Sequence, residues 1–222
     1  MIIDNFDIIR NHLDFIDTKL DRYVIHILRR PKDLSDNMKN ELGSNEAQRL
    51  IRTYYVDSIE YFDRKIPAIK ELCKANKARA YIIVQPKDNF ECLLNLGEKI
   101  FETIRNKNYS VKPEHLVRQA FCEWHKTRKK QWVIDLDEDS PDDMQGWCLD
   151  AVVDLVKTQL QSIGKDPNEM YVTQTKHGHH IITSPFNLVE AQKKCNMLYE
   201  GTKDGKTGWL HKDGMTLLWA DV

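Results

Sequence analysis

The chain lacks the marks of a membrane protein, a disulfide-framed protein or a zinc module. No apolar run approaches the length of a bilayer span. Residues 1–5 carry neither a basic n-region nor a long apolar h-region, so no signal peptide is expected and the cytoplasm is the expected compartment. The five cysteines (Cys73, Cys92, Cys122, Cys148 and Cys195) are odd in number, widely scattered and never spaced Cys-x-x-Cys. That pattern argues against a disulfide framework and a zinc knuckle and predicts reduced thiols. A net charge of −1 removes the global basic excess that would advertise nucleic acid, and leaves room only for a local basic face. No internal repeat or low-complexity tract interrupts the 222 residues, 41% of them hydrophobic, which suffice for a substantial core in one large domain or two lobes.

The first half alternates strand and helix signals. Residues 22–30 (RYVIHILRR) and 49–56 (RLIRTYYV) read as strands that can pair as a hairpin, joined by a polar loop beginning at Pro31. Ile59, Phe62, Ile66, Ile69, Leu72 and Cys73 mark one face of a helix that Pro67 is expected to kink or restart. Residues 79–85 (RAYIIVQ) read as a third strand. An amphipathic helix is expected over 90–105, with apolar positions at Leu93, Leu94, Leu96, Ile100, Phe101 and Ile104, and a shorter one over 115–124. Tyr54, Tyr55, Tyr61 and Phe62 fit core packing better than base stacking.

From Gln131 onward the expected order is strand 131–137, helix 143–163, strand 169–175, strand 178–184, helix 187–196 and strand 215–221. This is βαββαβ, the order of ferredoxin-like and RNA-recognition-motif-like (RRM-like) modules. The expected class is therefore α+β: an N-terminal α/β lobe over residues 1–128 and a C-terminal βαββαβ lobe over 129–222, joined in one compact unit.

The first strand of that second lobe carries the densest chemical signal. Trp132-Val133-Ile134 runs into Asp135-Leu136-Asp137. Side chains alternate along a strand, so the two carboxylates share a face roughly 6–7 Å apart. Such a pair can share one divalent cation or hold two roughly 3.5–4 Å apart. A second segment, Thr175-Lys176-His177-Gly178-His179-His180, opens the third strand. In the usual strand order 4-1-3-2 the first and third strands are antiparallel neighbours, so Asp135 and Asp137 should meet Gly178 and His180 at one edge. His125-Lys126-Thr127-Arg128-Lys129-Lys130, just upstream, offers phosphate-binding charge or merely a solvated loop.

These residues resemble the archaeo-eukaryotic primase superfamily. Ile134-Asp135-Leu136-Asp137 fits its hydrophobic-Asp-hydrophobic-Asp motif, and Gly178-His179-His180 fits its small-x-His motif. The stretch 173–182 is also similar to a segment in the polymerase domains of bacterial end-joining ligases. Over most of its length the chain looks like a group of bacteriophage proteins with the same order of elements. The resemblance implies a primase-polymerase-like nucleotidyltransferase of DNA replication, using Mg²⁺ or Mn²⁺ and an NTP or dNTP on single-stranded or primed nucleic acid, in the host cytoplasm if phage-encoded. It makes Asp135 and Asp137 metal ligands and His180 a triphosphate contact, with Lys176, Gly178 and Lys212 beside the nucleotide. A third acid is expected near the chain's end. The motif position itself falls on Trp219, leaving Asp213 and Asp221; Asp213, before the last strand, is the better placed.

Other readings use the same residues. A primase-like fold without chemistry would serve as a binding module. A phosphohydrolase of the haloacid-dehalogenase type also opens on Asp-x-Asp, but Asp139 stands where that family has Thr or Val. The Asp pair could equally be acids favoured near a helix start. His177, His179 and His180 as a transition-metal trio are disfavoured, because His179 and His180 point to opposite faces of a strand. His12, His26 and His115 read as structural or surface residues.

Overall fold

A computed structural model of the chain describes residues 1–47, 49–122, 129–137, 149–187, 190–191, 210–211 and 214–221. They form an α+β fold with two antiparallel sheets. The first sheet has the order β1 (Ile2–Asp4), β9 (Met215–Asp221), β4 (Arg79–Asp88), β2 (Asp21–Arg29) and β3 (Arg49–Val56). The second has the order β6 (Met170–Gln174), β7 (Gly178–Thr183), β5 (Trp132–Asp137) and β8 (Leu210–His211).

Strand β2 reads as a continuous apolar run because both of its faces are covered. Ile25 and Ile27 pack with Ile82, Val84, Phe62 and Ile69 on one side. Val24 packs with Ile83, Cys92, Ala120 and Phe121 on the other. Helices α1 (Phe6–His12) and α3 (Ile59–Asn76) supply the first layer; α4 (Asn89–Arg105) and α5 (Pro113–Cys122) supply the second. The expected β2–β3 hairpin is present, with Tyr23 opposite Val56 and Arg29 opposite Arg49.

Helix α3 starts where the Ser58 hydroxyl accepts from the Tyr61 amide at 3.2 Å, and it ends at Lys77 in the left-handed region. It runs through Pro67 with neither break nor restart. Pro67 forfeits the hydrogen bond to the Asp63 carbonyl, a cost of about 3 kcal/mol with its steric clash. Phe62, Ile69 and Cys73, all fully buried on either side of it, offset that at about 1.5–3 kcal/mol per large apolar side chain. The connection expected as a polar loop instead holds a 3₁₀ turn (Pro31–Asp33) and helix α2 (Asp36–Ala47), interrupted where Gly43 takes φ 73°. Arg79 clamps this connection to β4 by forking onto Asp33, its Nε donating to Oδ2 at 2.7 Å.

In the second sheet, helix α6 (Leu149–Ser162) covers one face: Val152, Val156 and Leu160 pack on Ile134, Leu136 and Ile181. The other face turns inward, and Val133, Ile182 and Tyr171 join the core of the first sheet. Much of the expected helix 187–196, and the start of helix 143–163, lie outside the described residues.

One strand differs in its place. The expected order 4-1-3-2 is met by β8-β5-β7-β6, but the strand beside β5 is Leu210–His211, not 215–221. Strand β9 has the expected bounds and leaves for the first sheet, where Ile3 pairs with Ala220 on one side and Ile82 with Thr216 on the other. Its core, Thr216 through Ala220, is buried throughout. A strand this apolar needs cover on both faces and a partner on both edges, and the gap between β1 and β4 supplies them.

Two histidines are buried in this framework. The Nδ1 of His26 lies 3.0 Å from the Thr53 hydroxyl; burial first, and the charge of Arg118 second, lower its pKa to about 4. Burial also lowers His12, whose Nε2–H donates to the Val84 carbonyl at 3.0 Å. Between pH 6.5 and about 4 the unfolded chain therefore takes up protons that the native His26 refuses, so stability falls as pH drops through that window. The loss attributable to His26 is about 2 kcal/mol by pH 5. Urea denaturation at neutral pH and at pH 5 should show a smaller decline for His26→Gln than for the unaltered protein.

Candidate functional site

Strands β6, β7 and β5 align Thr173, His180 and Asp135 in one row, Thr173 opposite His180 and His180 opposite Asp135. Cross-strand partners share a face, and this one also bears Val133 and Ile182, which point toward the first sheet. The row thus lies where the two sheets approach each other. The His180 Nε2 is 3.1 Å from Asp135 Oδ1. Its Nδ1 is 3.1 Å from the hydroxyl of Thr216, which comes from β9 in the other sheet. That hydroxyl is in turn 2.7 Å from the hydroxyl of Thr173.

The chain of contacts has a direction. An ionised carboxylate only accepts, so Nε2–H donates to Asp135. In neutral His180 the bare Nδ1 then accepts from Thr216, and Thr216 accepts from Thr173. Protonation of Nδ1 reverses both of those bonds without moving a heavy atom. Burial is graded along the row: Thr173 and Thr216 are fully buried, while the Asp135 side chain is 35% exposed. The imidazole is held from behind and its carboxylate partner faces outward.

Neighbouring hydrogen bonds brace the row. Asn5, almost wholly buried, donates from Nδ2 to the carbonyls of Leu217 and Gln174, each at 2.8 Å, and accepts from the Gln174 amide at 3.1 Å. It ties β6 to β9 one residue beyond Thr173 and Thr216. The β6–β7 turn closes with the Thr175 amide donating to the Gly178 carbonyl at 2.8 Å. Lys176 stands in that turn, and Gly178 pairs with the backbone of Asp137 at the end of β5.

The sequence expectations meet this geometry unevenly. Asp135, His180, Gly178 and Lys176, with the backbone of Asp137, gather toward one end of the central β5–β7 pair of the second sheet. The Asp137 side chain, Lys212 and Asp213 lie outside the described residues, as do Lys126 and Arg128. Lys129 makes an ion pair with Asp14 at 3.2 Å. Asp221 pairs with Ile2 at the far end of β9, about 17 Å along the strand from Thr216. His179 pairs with Leu136, in the row adjoining that of His180, and so belongs to the opposite face. Among the described residues no group of three or more His, Cys, Asp or Glu stands close enough to hold a metal.

Thr173 and Thr216 were not legible as site residues. Threonine is common in strands, and only the three-dimensional meeting of two sheets gives these hydroxyls a partner. Thr216→Val should leave the His180 Nδ1 and the Thr173 hydroxyl without that partner, costing about 1–3 kcal/mol in urea denaturation. Adding Thr173→Val should cost less than the same change made alone, because the second hydroxyl is then no longer stranded.

No family model matches the chain, and neither a curated protein nor a solved structure is detectably similar to it.

Proposed function

We propose that the chain is a primase-polymerase-like nucleotidyltransferase, acting on primed or single-stranded nucleic acid with an NTP or dNTP and Mg²⁺ or Mn²⁺. The observation that carries this reading is the pairing of Asp135 with His180 on adjacent antiparallel strands, in a sheet of order 4-1-3-2. The βαββαβ order predicts this meeting, and the resemblance to the primase superfamily is what gives the two motifs their roles. The finer description, two lobes of primase-polymerase type with an RRM-like second lobe, belongs to the same proposal, as does a role in phage DNA replication.

The donor chemistry suits the metal. Carboxylate oxygens favour hard divalent cations, and the part-exposed Asp135 can offer one. Asp135 and Asp137 would hold it, with Asp213, three residues before Thr216 in sequence, as the third acid. When bound, the cation neutralises triphosphate charge and makes a 3′-hydroxyl more acidic. His180, oriented from behind by Thr216, would present Nε2–H to a phosphate oxygen once that oxygen displaces Asp135 as its acceptor. Lys176 in the turn would add positive charge, Gly178 would admit phosphate close to the backbone, and Lys212 would contribute from the segment before β9.

A second reading has its own support. The His180 Nε2 contact engages one of the two Asp135 oxygens and competes with a cation for it. A protein that keeps this contact is a primase-fold binding module without chemistry. The haloacid-dehalogenase-type reading loses ground, because β5 has antiparallel neighbours on both sides where that fold needs parallel ones.

Titration calorimetry with Mn²⁺ and a primer-extension assay separate the two surviving readings. The proposal expects Mn²⁺ binding and extension, both lost in Asp135→Ala/Asp137→Ala with the circular dichroism spectrum retained. Equal Mn²⁺ binding in the double variant would remove the metal role. Asp213→Asn should abolish extension, whereas deleting residues 221–222 should leave it intact. Absence of extension with nucleic-acid binding retained selects the binding module.

A further inference from the structure

Helix α4 has two apolar faces, and the fold uses one. Cys92 and Leu96 pack against Val24, Ile83 and helix α5. The adjoining face stands in solvent, with Phe90 57% and Phe101 70% exposed and Leu93, Leu94, Ile100 and Ile104 between 41% and 57%. These six side chains are arranged symmetrically about Gly97. Leu94 and Ile100 stand three residues to either side, Leu93 and Phe101 four, Phe90 and Ile104 seven. Offsets of three, four and seven keep all of them on one stripe of an α-helix.

A stripe that reads the same in both directions is what a two-fold axis through its centre requires. An isologous contact sets a position on one copy against the mirror-numbered position on the other. Here Phe90 meets Ile104, Leu93 meets Phe101 and Leu94 meets Ile100. At the centre Gly97 meets Gly97. A Cβ built on Gly97 would touch nothing within 4 Å, so the crossing point is bare and two helices can come close.

We infer that a second copy of this chain docks on this face, with the two α4 helices antiparallel about a two-fold axis at Gly97. Charge on the flank agrees. Glu91, Glu98 and Arg105 recur every seven residues along one side of the stripe. The two-fold axis brings the same flank of each copy together, so Arg105 of one copy falls beside Glu91 of the other, twice over. Acid in the first turn and base in the last also suit antiparallel helix dipoles. The two Glu98 side chains face each other across the axis, the one like-charge contact in the set. The apolar stripe exposes roughly 600 Å² per copy, near the ~800 Å² per partner of a stable interface and at the upper end of what monomers leave bare.

Sedimentation equilibrium on the full chain tests this. A reversible dimer at micromolar concentration is expected, with Phe101→Glu monomeric and unchanged in circular dichroism. Glu91→Arg should weaken the dimer roughly tenfold, as expected for a charge pair turned to repulsion. Adding Arg105→Glu should restore it. Within one helix these residues lie about 21 Å apart, so restoration comes only from contact between copies. Glu98→Gln should tighten the dimer. A wild-type chain that stays monomeric means that another partner or the chain's own residues cover the stripe, and overturns the inference. So does a dimer that survives Phe101→Glu, or a Glu91→Arg defect that Arg105→Glu does not repair.

Discussion

The site depends on one strand being bonded into one sheet while its side chain serves the other. The backbone of β9 is bonded between β1 and β4, which fixes Thr216 opposite Ile82. Its hydroxyl is then free to cross to the second sheet, where it meets both His180 and Thr173. These groups are buried or nearly so, and a buried polar atom without a partner is costly. Each therefore restricts the rotamers of the others, and the relative placement of the two sheets is restricted with them. Asn5 repeats the device a residue away, joining Leu217 to Gln174 through one amide.

Polarity is graded from this joint outward. Behind it lie Val133, Ile182 and the core of the first sheet. Ahead of it stands the Asp135 carboxylate, which solvent reaches. A histidine held in this way keeps its orientation through a change of protonation, since the two hydroxyls behind it can donate or accept. That is the sort of preorganisation on which positioning a charged ligand depends. It owes nothing to a long loop or a moving segment, because every group in it stands on a strand.

Elsewhere the molecule spends its apolar surface differently. Among the described residues Cys92 and Leu96 seat helix α4 in the apolar cluster with the sheet and α5, yet it carries six further large apolar side chains outside. No requirement of the fold explains that face. Amphipathic periodicity alone cannot tell a stripe bound for the core from one bound for another molecule, since both follow the same 3.6-residue period. The difference appears only when the sheet beneath is seen to be already covered.

The sequence by itself determined the strongly periodic elements and the pairing of the two central motifs, but not β1, α1, α2 or β8. The apolar run 132–134 followed by Asp135-Leu136-Asp137 dictated a buried strand ending in acids. The βαββ order after it, taken in the usual 4-1-3-2 arrangement, placed His180 beside Asp135. Tertiary structure alone decided which sheet received residues 215–221. The local pattern of β9 says that it is buried and extended, and either sheet satisfies that; the vacancy between β1 and β4 settled it. The same holds for Thr173 and Thr216, whose hydroxyls acquire a role only when strands from two sheets converge. It holds for Pro67, where the burial of Phe62, Ile69 and Cys73 overrode a local helix breaker. Local chemistry is written in short-range spacing, whereas the choice among equivalent partners is a competition for buried surface that no short stretch of sequence contains.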